Sequence, residues 1–139
     1  MLAIRIYEQI RTLRPDDEGA RKSLIELSLR MGQPAQANAE LESYITYLQT
    51  SNLGAQGITF VEELLRERPD DPILQRALAG LYQQAGRTAE AIAQLDSLAE
   101  SLLEAGKKED ALAVINQILL IGPPNVEQYR RLLMQLQSG

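Results

Sequence analysis

The fold of this chain is decided by residues 76–95, which read RALAGLYQQAGRTAEAIAQL. Apolar side chains recur every three or four positions on both sides of Gly86, which is the spacing of one face of a helix. Glycine readily adopts the left-handed conformation that closes a helix. The stretch therefore predicts two helices joined by a tight turn. In the rest of the chain, no segment shows the alternation of apolar and polar residues that is typical of a β-strand.

The same pattern occurs a second time in the chain. Gly86 follows Gly32 by 54 positions, and the segment Pro15-Asp16-Asp17 recurs as Pro69-Asp70-Asp71 at the same interval. Apolar residues match at that interval in the pairs Leu24 and Leu78, Leu27 and Leu81, Ala37 and Ala91, Leu41 and Leu95, and Leu48 and Leu102. Because the matches fall on apolar and turn positions, they indicate an internal repeat of 54 residues.

Each repeat is predicted to contain three helices. In the first copy these run over about 17–31, from Pro34 to about 51, and over about 55–67. Proline in a first turn gives up only an N–H that has no partner there. Asn52 stands where the second copy has Gly106, and Asn is the usual substitute for Gly in the left-handed conformation. The acidic pairs Asp16-Asp17 and Asp70-Asp71 each follow a proline at the start of a helix, so capping by one member of each pair is favoured over metal binding.

The whole chain is predicted to be all-α, a right-handed superhelix or solenoid of about seven antiparallel helices. It is treated as a single domain, 1–139, with repeat units at about 17–70 and 71–124 and partial units at 1–16 and 125–139. Since the chain starts and stops within a unit, we expect either a piece of a longer protein or a natural terminus with capping helices.

The residues around Gly86 resemble the tetratricopeptide repeat (TPR), a helix-turn-helix of about 34 residues. The positions that carry the resemblance are Leu78, Ala79, Tyr82, Gly86, Ala91 and Leu95. A second match around Gly106 uses the same helix at 88–105. The period of 54 and the absence of tryptophan depart from the family pattern. The resemblance implies a protein-binding scaffold, and both a two-layer solenoid and an armadillo-like stack of three-helix units remain open.

Composition limits the chemistry. The net charge is −5 and no basic run occurs, so nucleic-acid binding is not expected. Without cysteine there is no disulfide or thiolate site, which fits a cytoplasmic protein. Without histidine there is no imidazole base or ligand. We therefore expect a non-catalytic protein with no cofactor and no metal. No apolar run approaches roughly 18 residues, so membrane insertion is not expected.

Four residues are candidates for partner binding. Lys22, Arg76 and Arg130 are related by the repeat interval, so a basic residue recurs on every first helix. The TPR resemblance implies that this position faces a groove in which some members clamp a peptide carboxylate. The asparagines of that clamp are missing, since the matching residues are Glu26, Gly80 and Met134. The competing interpretation is a solvated column of charges.

The aromatic residues of the first repeat divide into two groups. Tyr44 falls on the apolar face with Leu41 and Leu48, and Phe60 is placed in the core as well. Tyr47 falls off that face and is the fourth candidate for a contact with a partner.

The predicted function is a scaffold that receives a peptide or helix from a partner protein. One alternative is self-association through exposed terminal helices. The apolar residues that would pair are Leu2, Ile6 and Ile10 at one end and Leu132, Leu133 and Leu136 at the other. The other alternative is a regulatory or sensor region of a larger signalling or transcription protein.

Overall fold

A computed structural model describes residues 2–138, which form eight α-helices. The bounds are α1 (Leu2–Leu13), α2 (Glu18–Arg30), α3 (Pro34–Thr50), α4 (Gly54–Glu67), α5 (Pro72–Gln84), α6 (Thr88–Glu104), α7 (Lys108–Ile121) and α8 (Val126–Ser138). The all-α class is confirmed. The count is eight rather than about seven, because each partial unit adds one helix to the six of the two full units. The first residues of α2, α5 and α8 are spaced at the repeat interval of 54.

Four helices end in the same hydrogen-bonded turn. At Gly86, φ is 76°, the Gly86 N–H donates to the carbonyl of Gln83 at 3.1 Å, and the Arg87 N–H donates to that of Tyr82 at 2.8 Å. This pair of bonds satisfies carbonyls that the end of a helix leaves open. The same pair closes the helices at Gly32, Asn52 and Gly106. Asn52 has φ 58°, so its predicted left-handed conformation is confirmed.

Helix starts follow the predicted capping. The Asp17 carboxylate accepts the N–H of Ala20 at 3.0 Å, and the Asp71 carboxylate accepts that of Ile73 at 3.0 Å. Each bond satisfies one of the amides that the first turn leaves without a partner. Pro34 and Pro72 occupy the first positions of α3 and α5. Capping by the acidic pairs is therefore confirmed, and the second aspartate of each pair, Asp17 or Asp71, is the one that caps.

The helices divide into two compact units, one up to Thr59 and one from Phe60 onward, and the boundary falls within α4. In the first unit, α2 packs against both α1 and α3. Its core is built from buried apolar residues of α2 and α3, namely Leu24, Ile25, Leu41, Tyr44 and Leu48. The predicted burial of Tyr44 is confirmed.

In the second unit, α6 packs against both α5 and α7, and α8 packs against α7. Leu95 and Leu98 of α6 and Ile115 of α7 have no exposed surface. Ala79 and Ala111 are buried in the same cluster, so small residues lie where neighbouring helices meet. The two overlapping TPR-like matches therefore share one central helix, α6.

Candidate functional site

The three predicted basic residues have different surroundings. Lys22 is half-buried and its ammonium lies 3.9 Å from the Glu26 carboxylate, one turn along α2. Arg76 on α5 is exposed. Arg130 on α8 is exposed and lies 2.9 Å from the Glu127 carboxylate. The exposed pair of Arg130 with Glu127 contributes little to stability. The guanidinium groups of Arg76 and Arg130 are therefore both accessible to solvent.

Tyr47 does not stand free on the surface. It is half-buried, and its ring stacks on that of Tyr44 with a centroid separation of 6.4 Å and an interplanar angle of 12°. The Arg21 guanidinium lies 5.3 Å from the Tyr44 centroid and 5.9 Å from that of Tyr47. Arginine is attracted to the faces of aromatic rings at such distances. Tyr47 is therefore part of a packed cluster rather than a freely exposed side chain.

Arg21 is the residue that the sequence prediction missed, although it adjoins Lys22. It is buried, with 3% relative exposure. The guanidinium donates to the Pro15 carbonyl at 3.2 Å and to the Ser43 hydroxyl at 3.1 Å. These bonds tie α2 to the preceding loop and to α3. A signal was present, because Arg21 follows Ala20 and precedes Leu24 by one turn on the apolar face of α2.

The equivalent position in the second repeat makes the equivalent bond. Gln75 is also 3% exposed, and its side-chain amide donates to the Pro69 carbonyl at 3.1 Å. Gln75 follows Arg21 by one repeat interval, as Pro69 follows Pro15. Arg21 and Gln75 thus each tie their helix to the carbonyl of the preceding proline. Only Arg21 also carries a charge.

An acidic partner accompanies that charge in the first unit. Glu40 on α3 is 7% exposed, and Arg11 of α1 forms an ion pair with one of its carboxylate oxygens. The other oxygen has no hydrogen-bond partner among residues 2–138. Burial lowers the pKa of Arg21, and the nearby Glu40 carboxylate opposes that change. Arg11, Arg21 and Glu40, the polar cluster of the first unit, therefore join α1, α2 and α3 through charge.

Three of the five tyrosines donate a hydrogen bond to a carboxylate on another helix. The pairs are Tyr44 to Glu18 at 3.0 Å, Tyr82 to Glu62 at 2.8 Å, and Tyr129 to Asp96 at 2.7 Å. Burial and the acceptor carboxylate both disfavour the phenolate. They raise the pKa of Tyr82 and of Tyr129 to about 12, and they raise the pKa of Tyr44 as well.

The raised tyrosine pKa values predict a loss of stability in strong alkali. A phenol whose pKa is higher in the folded than in the unfolded chain stabilises the fold fully below pH about 10. That contribution is lost as the pH rises through about 12, the folded pKa of Tyr129. We expect urea midpoints to fall over this interval and to fall less in Tyr129→Phe. An equal fall in both proteins would contradict the assignment.

Other kinds of site find no support in the part of the chain that the structure describes. Residues 2–138 contain no group of three or more acidic side chains placed to hold a metal ion. Among the same residues, no helix is long and apolar enough to cross a membrane. A shallow groove beside α2 is lined by Tyr7, Ser23, Glu26, Leu27 and Arg30.

No protein-family model matches the chain. No curated protein matches it either. Among solved structures, a thermophilic TPR protein of Thermus thermophilus is 17% identical with a TM-score of 0.39, over 98% of this chain and 89% of that protein. A tetratricopeptide repeat protein from Parabacteroides merdae is 16% identical with a TM-score of 0.35, over 98% of this chain and 63% of that one. By its own helices and turns, the chain has an all-α helical repeat fold.

Proposed function

We propose that the protein is a non-catalytic scaffold that binds a peptide or helix of a partner protein in a helical groove. The observation that carries the proposal is the exposure of Arg76 and Arg130 at the same register of two first helices. A guanidinium can hold a carboxylate through two parallel hydrogen bonds. The partner is a protein rather than a nucleic acid, since acidic residues outnumber basic ones by 19 to 14. The chain's lack of cysteine supports a cytoplasmic location.

The other two candidates are assigned smaller contributions. Lys22 shares its charge with Glu26, so a partner carboxylate must compete for it. Tyr47 is stacked on Tyr44, which fixes its ring in place. A fixed aromatic edge loses little entropy on binding. Lys22 and Tyr47 are therefore proposed as secondary contacts on the first unit, and Arg76 and Arg130 as the main charges on the second unit.

Substitution of the two arginines tests the proposal. With the chain as bait, a partner is first isolated and its affinity measured by calorimetry. The double variant Arg76→Ala/Arg130→Ala is expected to bind about tenfold more weakly, because each change removes a charge-assisted hydrogen bond. Arg131→Ala, an exposed change on the same helix as Arg130, serves as the matched control. If the double variant binds the partner as tightly as the wild-type chain does, the proposal that Arg76 and Arg130 bind the partner is wrong.

Self-association through the terminal helices is the second candidate. Leu2 and Ile6 on α1 are 72% and 46% exposed, and Leu132 on α8 is 36% exposed. The prediction that Leu133 and Leu136 are exposed is wrong, because both pack against the core of the second unit. Exposed apolar residues of this size can pair between chains. This candidate requires a molar mass that rises with protein concentration in light scattering. A regulatory or sensor role within a larger signalling or transcription protein is compatible with either kind of contact.

A further inference from the structure

The polar cluster of the first unit places two cations around one carboxylate. Arg11 of α1 pairs with one oxygen of Glu40 on α3, and the second oxygen is buried without a hydrogen-bond partner in the described part of the chain. Arg21 of α2 is buried close to the same carboxylate and to Arg11. Like charges in a low-dielectric interior repel each other. The cluster therefore carries one cation more than its single acid can neutralise.

The second oxygen of Glu40 lies near Arg21. The Arg21 guanidinium donates to the Ser43 hydroxyl at 3.1 Å. Ser43 follows Glu40 by three residues on α3, and residues at this spacing are neighbours on one face of a helix, with Cβ atoms about 5–6 Å apart. A rotation of the Glu40 or Arg21 side chain therefore suffices to exchange Arg11 for Arg21 as the partner of the carboxylate.

The second repeat has no charge at the matching positions. One repeat interval later, the three residues of the polar cluster correspond to Leu65, Gln75 and Gln94. Gln75 makes the bond to the preceding proline without a charge, so the packing of a first helix does not require an arginine. Buried ion pairs add little net stability, and fixing a register or a switch is their best-attested use. The charges therefore distinguish the junction of α1 with α2 and α3.

Arg11 is the arginine that can leave the cluster. Its side chain is 26% exposed, whereas Arg21 is 3% exposed and is also bonded to the Pro15 carbonyl. The rings of Tyr44 and Tyr47 hold the Arg21 guanidinium from another side. Water therefore reaches Arg11 more easily than Arg21, and Arg11 can move away only together with α1.

We propose that α1 opens away from α2 and α3 as a unit, and that Glu40 then exchanges Arg11 for Arg21. In the closed state, Arg11 joins α1 to α3. In the open state, Arg11 is hydrated and Arg21 neutralises Glu40, so α2 and α3 stay packed. The exchange lowers the cost of opening, because the buried carboxylate is never left without a cation. The polar cluster is thus a conformational switch at this junction, and it does not depend on the proposed peptide binding.

Hydrogen exchange of the full chain, followed by mass spectrometry of peptic fragments, measures the opening of each helix. In the wild-type chain, the amides of α1 are expected to be at least about tenfold less protected than those of α3. Arg11→Ala is expected to lower the protection of α1 about tenfold further, because it removes the bond to α3. The protection of α3 is expected to change less than about twofold, because Arg21 replaces Arg11 at Glu40.

Arg5→Ala is the matched control for Arg11→Ala. Arg5 is an exposed arginine on the same helix, so its removal is expected to leave the protection of α1 unchanged. A loss of protection that both variants share would therefore come from α1 itself and not from its bond to Glu40.

A double-mutant cycle tests the exchange of partners. Arg21→Gln alone leaves Glu40 with Arg11, and Arg11→Ala alone leaves it with Arg21. In Arg11→Ala/Arg21→Gln the buried carboxylate has neither cation. The protection of α3 is therefore expected to fall at least about tenfold more than the product of the two single effects.

Three results would overturn the proposal. One is exchange of α1 at the same rate as α2 and α3 in the wild-type chain, because the helices would then open together. Another is a loss of protection in Arg11→Ala that is equal in α1 and α3, absent from α1 or matched by Arg5→Ala. A third is independence of the two substitutions in α3, since Arg21 would then not replace Arg11 at Glu40. A failure of the Arg76→Ala/Arg130→Ala test leaves these measurements unaffected.

Discussion

Replacing Leu95 by alanine is expected to lower the free energy of unfolding by about 3 kcal/mol. Leu95 has no exposed surface and lies on α6, which packs against α5 on one side and α7 on the other. A cavity between three helices has little freedom to collapse, so the loss includes both the transfer of the side chain and the cavity. Urea unfolding followed by far-ultraviolet circular dichroism measures the change.

The matched control for Leu95 is Leu120→Ala on α7. Leu120 is 88% exposed, so its truncation removes almost no buried surface. We expect a change within about 0.5 kcal/mol. A loss below about 1 kcal/mol for Leu95→Ala would contradict the central position of α6 in the second unit. Similar losses in both variants would do so as well.

The helices and their ends could be predicted because they depend on neighbouring residues. A glycine or asparagine that ends a helix and an aspartate that begins one act within a single turn. Gly86, Asn52 and Asp71 therefore behave as the sequence predicts. The apolar spacing of α6 likewise predicts burial of Leu95, because a helix fixes which residues share a face.

The candidate site was harder to predict because it depends on which helices meet. The sequence shows that Lys22, Arg76 and Arg130 share a register, but their surroundings differ, and Glu26 engages Lys22. A basic residue is usually exposed, so the burial of Arg21 could not be expected from composition. The spacing of Arg21 from Leu24 places it on the apolar face of α2, and the packing of α2 against both α1 and α3 makes that position an interior one.

The two repeats treat one interior position differently, and this difference bears on stability. Gln75 makes its bond to Pro69 without charge, whereas Arg21 makes the same bond to Pro15 and lies near Glu40. A buried charge costs free energy to desolvate, and partners must compensate for it. Replacing Arg21 by glutamine therefore gives the first repeat the residue that the second repeat has at this position.

Arg21→Ala is expected to lower the free energy of unfolding by about 3 kcal/mol. The change removes the donor to the Pro15 carbonyl and the donor to Ser43. It also removes the guanidinium that packs on Tyr44 and Tyr47. Glu40 would then remain buried with Arg11 as its cationic partner, and an under-compensated buried carboxylate is costly. The loss is read from urea unfolding monitored by circular dichroism.

Arg21→Gln separates the role of the charge from that of the hydrogen bond. Glutamine at this register can reach the Pro15 carbonyl, as Gln75 reaches that of Pro69 at 3.1 Å. We therefore expect Arg21→Gln to lose about half as much stability as Arg21→Ala, because the neutral bond is kept while the charge is removed. Equal losses would show that the charge and the ring contacts dominate. If Arg21→Ala leaves the free energy of unfolding unchanged, the polar cluster contributes nothing to the stability of the first unit.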